Sequence, residues 1–291
     1  MNAKNSKKIS VLLAMASLLI QTSALRAATD SFESWYNEQK AILAQAASAE
    51  PAEQLDLLDL VTQACIEKGN DSSLTLDQQA LIKLLEHKIL YTKAEWETCW
   101  QMYDLYLGLL AEAHDIDYAA GVVVRNGRIL YSYKRFDDCK EMFNIGLRRF
   151  PKSSLAPQIS LLLGKTLYKL HDYTGSKTRF EKLIADYPDS KFIPDAKVCL
   201  ATSLAHNHKY DRAHKLLDDV IENHADSKAA QYALVYKGDI YFAWHQWTDA
   251  LFCYHDLFKK YRGSSYSKYA GKQLEKTEDN MLNLLDEKIF E

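Results

Sequence analysis

Residues Leu161 to Pro188 read LLLGKTLYKLHDYTGSKTRFEKLIADYP, and the apolar positions fall three and four apart, not two. Leu161, Leu167 and Tyr168 mark one helical stripe around Gly164. A turn follows at His171 and Asp172, and Phe180, Leu183 and Ile184 mark a second stripe. The segment predicts two antiparallel helices joined by a short turn. The same hairpin recurs at a period of 37 residues. One column reads Gly127, Gly164, Ala201, Gly238, and an aromatic one reads Phe136, Tyr173, Tyr210, Trp247. A small-residue column reads Cys139, Ser176, Ala213, Ala250, and two large apolar columns read Phe143, Phe180, Leu217, Tyr254 and Leu147, Ile184, Ile221, Phe258. Glycine inside a helix costs about 1 kcal/mol relative to alanine, so its recurrence predicts a neighbouring helix too close for a side chain.

Working outward, these columns define regular repeats over residues 120–156, 157–193, 194–230 and 231–267. Trp96, Cys99, Tyr103 and Leu107 match Phe136, Cys139, Phe143 and Leu147 at an offset of 40, which adds a divergent repeat over 76–119. Thr75 and Gln78 have capping-box spacing at its start. Two helices, Ser31 to Ser48 and Ala52 to Lys68, are expected within an N-terminal cap over 28–75, and a capping helix is expected over 268–291. The fold class is all-α. Composition agrees: 291 residues with only 10 Gly and 5 Pro hold little material for the turns of a sandwich or barrel.

The first 27 residues read as an export signal. Lys4, Lys7 and Lys8 precede an apolar run from Ile9 to Ile20, and small residues lead to a cleavage point at Ala27. That run is shorter than the roughly 20 residues that span a bilayer, so no stable membrane insertion is expected. Loss of Lys4, Lys7, Lys8 and Arg26 with this segment takes the net charge from -3 to -7. A mildly acidic chain has no field for holding nucleic acid, and nucleic acid is not an expected partner. The five cysteines, at positions 65, 99, 139, 199 and 253, are too widely spaced for a zinc motif and read as packed thiols rather than a disulfide framework.

The order Gly164, Leu167, Ser176, Phe180, Pro188 resembles the tetratricopeptide repeat pattern, lengthened from 34 to 37 residues. With loops such as Tyr187-Pro188-Asp189-Ser190-Lys191, the unit is similar to the periplasmic repeats of the Tol-Pal-associated cell division coordinator and outer-membrane assembly lipoprotein families. The resemblance implies a right-handed superhelical solenoid of antiparallel helix pairs, a periplasmic or secreted location, and a protein or peptide partner bound on the concave face. It also carries the groove residues over by register: Arg125, Arg128 and Tyr131, then Lys165, Tyr168 and Lys169, then Asp195, then Tyr232, Tyr236, Asp239 and Phe242. The early positions are cationic and the late ones carry carboxylates, a polarised groove suited to a peptide of opposite polarity. Proximity to an envelope complex or to peptidoglycan is the other partner reading, since exposed tyrosines stack on sugars.

Catalytic signatures are missing from the sequence: it has no HExxH, GxSxG, GxGxxG or Walker pattern. A non-enzymatic scaffold with no cofactor and no metal is expected. His171, His208 and His245 recur at 37 residues with Lys134 in the same column. Stacked helices lie about 10 Å apart and zinc-bound nitrogens about 2 Å from the metal, so the column reads as cations at helix C-termini. Replacing Arg128 and Lys165 together by Glu is expected to abolish partner capture from envelope extract. Unchanged capture in that pull-down would count against a charged groove.

Overall fold

The computed structural model describes residues 30–290, with side chains described to residue 282, so the export signal read at residues 1–27 lies outside the described residues. Among the described residues there are thirteen α-helices and no strand. They are α1 (Asp30–Ala46), α2 (Pro51–Gly69), α3 (Leu76–Thr92), α4 (Trp96–Ala113), α5 (Ile116–Ser132), α6 (Phe136–Arg149) and α7 (Ala156–Lys169). The series continues with α8 (Tyr173–Asp186), α9 (Ile193–His206), α10 (Tyr210–Asn223), α11 (Lys228–Ala243), α12 (Trp247–Lys260) and α13 (Ser265–Phe290). The fold is an all-α repeat of helical hairpins, each pairing an odd-numbered helix with the even-numbered one after it. The chain divides into two compact units, residues 1–159 and 160–291, where the repeat pattern alone reads one unbroken array over 76–267.

The glycine column explains the pairing. A Cβ built on Gly127 would stand closer than 3.0 Å to the Phe143 ring, one on Gly164 equally close to Phe180, and one on Gly238 to Tyr254. Each even helix therefore lays an aromatic ring directly on the backbone of its odd partner. In the hairpin of α9 and α10 the ring is replaced by Leu217 and the glycine by Ala201, and both are fully buried. The two columns change together because the smaller side chain leaves room for a methyl group. The small column seals the same contact: the Cys139 thiol donates to the Gly127 carbonyl at 3.4 Å and the Ser176 hydroxyl to the Gly164 carbonyl at 3.0 Å.

The turn inside each hairpin has one geometry. Past the end of α5, Lys134 takes φ 58°; its N–H donates to the Tyr131 carbonyl at 3.0 Å and the Arg135 N–H donates to the Leu130 carbonyl at 2.9 Å. These two bonds make a Schellman motif, and they recur at Ala94, His171, His208 and His245. The histidine column is thus a column of left-handed turn residues, a tighter constraint than the helix dipole. Such a conformation costs a non-glycine residue about 1–2 kcal/mol. The side chains offset it locally: His171 Nδ1 lies 2.9 Å from the Tyr173 hydroxyl, His208 Nδ1 lies 3.0 Å from that of Tyr210, and His245 meets Trp247 edge to face at 4.9 Å. Edge-on ring pairs bracket the same turns, Tyr131 with Phe136 at 5.1 Å and Phe242 with Trp247 at 5.1 Å among them.

In the first unit, α1 to α3 share a core of Phe32, Tyr36, Leu58, Val61, Cys65, Ile82, Leu85 and Ile89. The Thr75 and Gln78 capping box forms at the start of α3. Linkers between hairpins are tied to the first turn of an odd helix: His114 Nε2 lies 2.9 Å from Asp77, and Asp117 accepts from the Ser154 N–H at 2.9 Å and the Ser154 hydroxyl at 2.8 Å. In the second unit one core runs from Leu161 and Phe180 through Leu200 and Leu217 to Ala233, and a second joins Leu234, Tyr254, Leu257 and Ala270. All five cysteines are free thiols, four of them buried.

The divergent repeat departs from the glycine rule. His87 stands at the glycine position, its Nδ1 2.9 Å from the Cys99 carbonyl and its ring 5.1 Å from that of Tyr103. Burial pushes its imidazole down to about 4. Beside it Lys88, 7% exposed, is pushed down to about 7 by burial and by the nearby Lys40.

Two outcomes follow from these contacts. In a double-mutant cycle, Gly164→Ala is expected to cost about 1–3 kcal/mol by overpacking the ring and Phe180→Leu about 1 kcal/mol by leaving a cavity. The pair is expected to cost at least about 1 kcal/mol less than their sum, since Ala201 and Leu217 already realise that combination; strict additivity in urea melts would refute the contact. For Lys88 the folded value lies below the unfolded 10.5, so the unfolded chain binds more protons between pH 7 and 10 and stability rises with pH across that window. Lys88→Met is expected to gain about 3 kcal/mol at pH 7 and to flatten the rise, read by thermal melts at pH 7 and 9.5.

Candidate functional site

In the second unit the odd helices α7, α9, α11 and α13 gather four tyrosines. Tyr232 on α11 lies 5.3 Å from Tyr236, one turn along, and 4.8 Å edge-on from Tyr266 on α13. Tyr236 is hydrogen-bonded with Thr202 on α9, and burial together with Tyr232, Tyr168 and Cys199 holds its hydroxyl well above the ordinary value. Tyr168 on α7 is raised by burial, by Tyr173 and by the same Cys199. Beside these rings α9 contributes Cys199 and Thr202 at its middle, with Asp195 and His206 toward its ends. Rings from α7 and α11 therefore come within electrostatic reach of one another above it. The result is a row of tyrosines, the trough, in which Tyr232 is exposed and Tyr168, Tyr236 and Tyr266 are partly buried.

Charge near these rings is mixed, with Lys165 and Lys169 on α7 and Asp195 on α9. Lys165 and Asp195 both act on the Cys199 thiol, in opposite senses, while burial pushes it up to about 11. A thiol held that high stays protonated at neutral pH and is a poor nucleophile. Among the described residues no three His, Cys, Asp or Glu side chains are placed to hold a metal. What the trough offers is ring faces and hydroxyls, which suits binding rather than chemistry.

The remaining residues of the charged row are placed as follows. Asp239 is committed internally: its Oδ1 accepts from the Tyr254 hydroxyl at 2.7 Å and the Tyr269 hydroxyl at 2.9 Å, and burial raises its carboxyl. Phe242 packs on Trp247 and carries Lys276 Nζ 4.8 Å from its ring centroid. The Tyr168 hydroxyl lies 2.7 Å from His206 Nε2 at the end of α9, and Lys169 is exposed at the end of α7. In the first unit α5 carries Arg125, Arg128 and Tyr131. Arg125 has its Nε buried without a hydrogen-bond partner, and burial holds the neighbouring Tyr103 and Tyr106 hydroxyls above their ordinary value, opposed in part by the Arg125 charge. Arg128 is exposed and Tyr131 packs on Phe136. The eleven residues thus divide between the units, three in the first and eight in the second.

Two trough residues escaped the sequence reading. Cys199 lies 37 residues before Tyr236 and was findable by strict register. Tyr266 was assigned to the end of the last repeat, whereas α13 already begins at Ser265.

Residues 147–277 match the family model described as a tetratricopeptide repeat-like domain. No curated protein matches the chain in sequence. Among solved structures, the chain is similar to YrrB, described as a TPR protein with an unusual peptide-binding site, at 18% identity over 72% of this chain and 97% of that one, with a TM-score of 0.44. It is similar to PilF of Pseudomonas aeruginosa at 13% identity over 84% and 98%, with a TM-score of 0.42. The C-terminal part of a TPR repeat-containing protein from Cytophaga hutchinsonii matches at 14% identity over 92% and 95%, with a TM-score of 0.46.

Proposed function

We propose that this chain is an exported, non-enzymatic adaptor of the cell envelope whose tetratricopeptide repeat-like domain holds a segment of a partner protein against its odd helices. The observation that carries the reading is the tyrosine trough of the second unit. Four tyrosines on three helices cluster there, three of them partly buried, and Tyr232 is 40% exposed. Tyrosine supplies large contact area at low entropic cost, which is why it concentrates at binding centres. Export rests on the Lys4 to Ala27 leader, and the resemblance of the long 37-residue unit to periplasmic repeat families supports an envelope location. No described helix is long and apolar enough to cross a membrane.

The reading is tested in living cells with a photo-crosslinking amino acid at Tyr232 or Asp195 and, as a control, at Phe252, an exposed position on the even helix α12. A discrete crosslinked partner at the first two positions and none at Phe252 is expected, together with a purified product that begins at Ala28. Crosslinking confined to Phe252, or a product that keeps residues 1–27 in the cytoplasm, overturns it.

A further inference from the structure

The tyrosine row belongs to the second unit, and the first carries a different site on its even helices. We propose that the cavity between α4 and α6 receives an arginine side chain from a basic segment of a partner protein.

The cavity measures about 400 Å³. Trp100, Met102 and Leu105 line it from α4, and Ile145 lines it from α6. Leu105 is 46% exposed. Trp100 is half-buried, with its indole 5.5 Å from the His87 ring and 5.9 Å edge-on from Tyr103. Apolar surface in a concavity of this kind is what the aliphatic stem of a long cationic side chain covers.

Charge chooses the head group. Three carboxylates and one guanidinium line the cavity: Glu97, Asp104, Glu141 and Arg148. Asp104 is already paired, since it accepts from Arg149 Nε at 3.0 Å and from Arg149 Nη2 at 3.1 Å, and Arg148 Nη2 lies 3.5 Å away. Both arginines are thus directed at one carboxylate. Among the described residues no ion pair or side-chain hydrogen bond engages Glu97 on α4 or Glu141 on α6. Lys140 stands about 100° round the helix from Glu141 and is not part of the lining. The surplus charge is therefore negative and sits on opposite walls, beside an indole. A cation complements it and an anion is repelled. A guanidinium lies flat against an aromatic ring and forks its donors to two carboxylates, whereas an ammonium acts as a point charge.

The open mouth decides between a free ligand and a protein-borne one. Five of the nine lining residues are exposed, while pockets for free small molecules bury about 70–90% of their ligand. A free amine here would keep much of its hydration. A side chain carried by a partner has the mouth closed over it by the partner's own surface.

The test is fluorescence anisotropy of a fluorescein-labelled peptide made of three Gly-Arg-Ser units, titrated with the full chain at about 150 mM salt. Saturable binding is expected. Glu97→Gln combined with Glu141→Gln should weaken it about tenfold or more, the effect of losing about 1.4 kcal/mol, and Trp100→Leu should weaken it about fivefold. Glu275→Gln with Glu278→Gln makes the same change of net charge on exposed positions of α13 and should stay within about twofold of the native chain. A Gly-Lys-Ser version should bind more weakly, and argininamide at equal concentration should not displace the peptide. Circular dichroism melts separate lost binding from lost folding; Trp100 packs on His87 and Tyr103, so if Trp100→Leu fails to fold the exposed pair Glu97 and Glu141 decides alone. Absence of binding, equal losses in the two double variants, equal or tighter binding of the lysine peptide, or displacement by argininamide each overturns the proposal. Crosslinking at Tyr232 is a separate readout on the second unit and is unaffected by any of these outcomes.

Discussion

The ring laid on a bare helix backbone is the contact on which the architecture depends. Phe143 over Gly127, Phe180 over Gly164 and Tyr254 over Gly238 bring two helices together more closely than any side chain at the glycine would allow. A ring there replaces water on both sides, and a close-packed interior makes even one added methyl group expensive. Each even helix spends its apolar face on its odd partner, and in the second unit the odd helices α7, α9 and α11 also share one buried core.

The turn fixes the register of that contact. A Schellman motif closes each odd helix and sends the chain back at one angle, so Ser176 meets the Gly164 carbonyl twelve residues later, as Cys139 meets Gly127. Glycine would adopt the left-handed residue without strain, yet the chain uses lysine, alanine and histidine there. The histidines at 171 and 208 reach the tyrosine hydroxyl two positions on. A local hydrogen bond thus stands in for conformational freedom, and the turn stays stiff where a glycine would have let it flex.

Legibility in the sequence followed the physics. Periodic features were readable because stacking repeats them: the hairpins, the glycine and small columns, the capping box at Thr75 and the start of the array all lie in register. The sign of φ at Lys134, His171, His208 and His245 was not readable, since the composition of that column suggests charge before it suggests backbone. The commitment of Asp239 was hidden for another reason. Its partners Tyr254 and Tyr269 lie on α12 and α13, and a contact between helices leaves no mark at any fixed spacing along one of them. Tyr266 was lost to a boundary error of three residues at the start of α13, the kind of error that helix ends invite.

Charge and ring chemistry along the odd helices answer to different rules. A carboxylate on an inward helix face loses hydration and must find donors, so Asp239 was drawn to two tyrosine hydroxyls and out of reach as a recognition element. A tyrosine in the same place loses little by burial of its ring and needs one partner for its hydroxyl. Thr202 supplies that partner to Tyr236, whose ring packs against the core and against Tyr232. Inward positions of a repeat array therefore filter their own residues: ions tend to be consumed by the fold, and aromatic faces remain for whatever binds. On that ground Asp239 belongs to the packing between α11, α12 and α13, while Tyr232 keeps part of its ring at the surface.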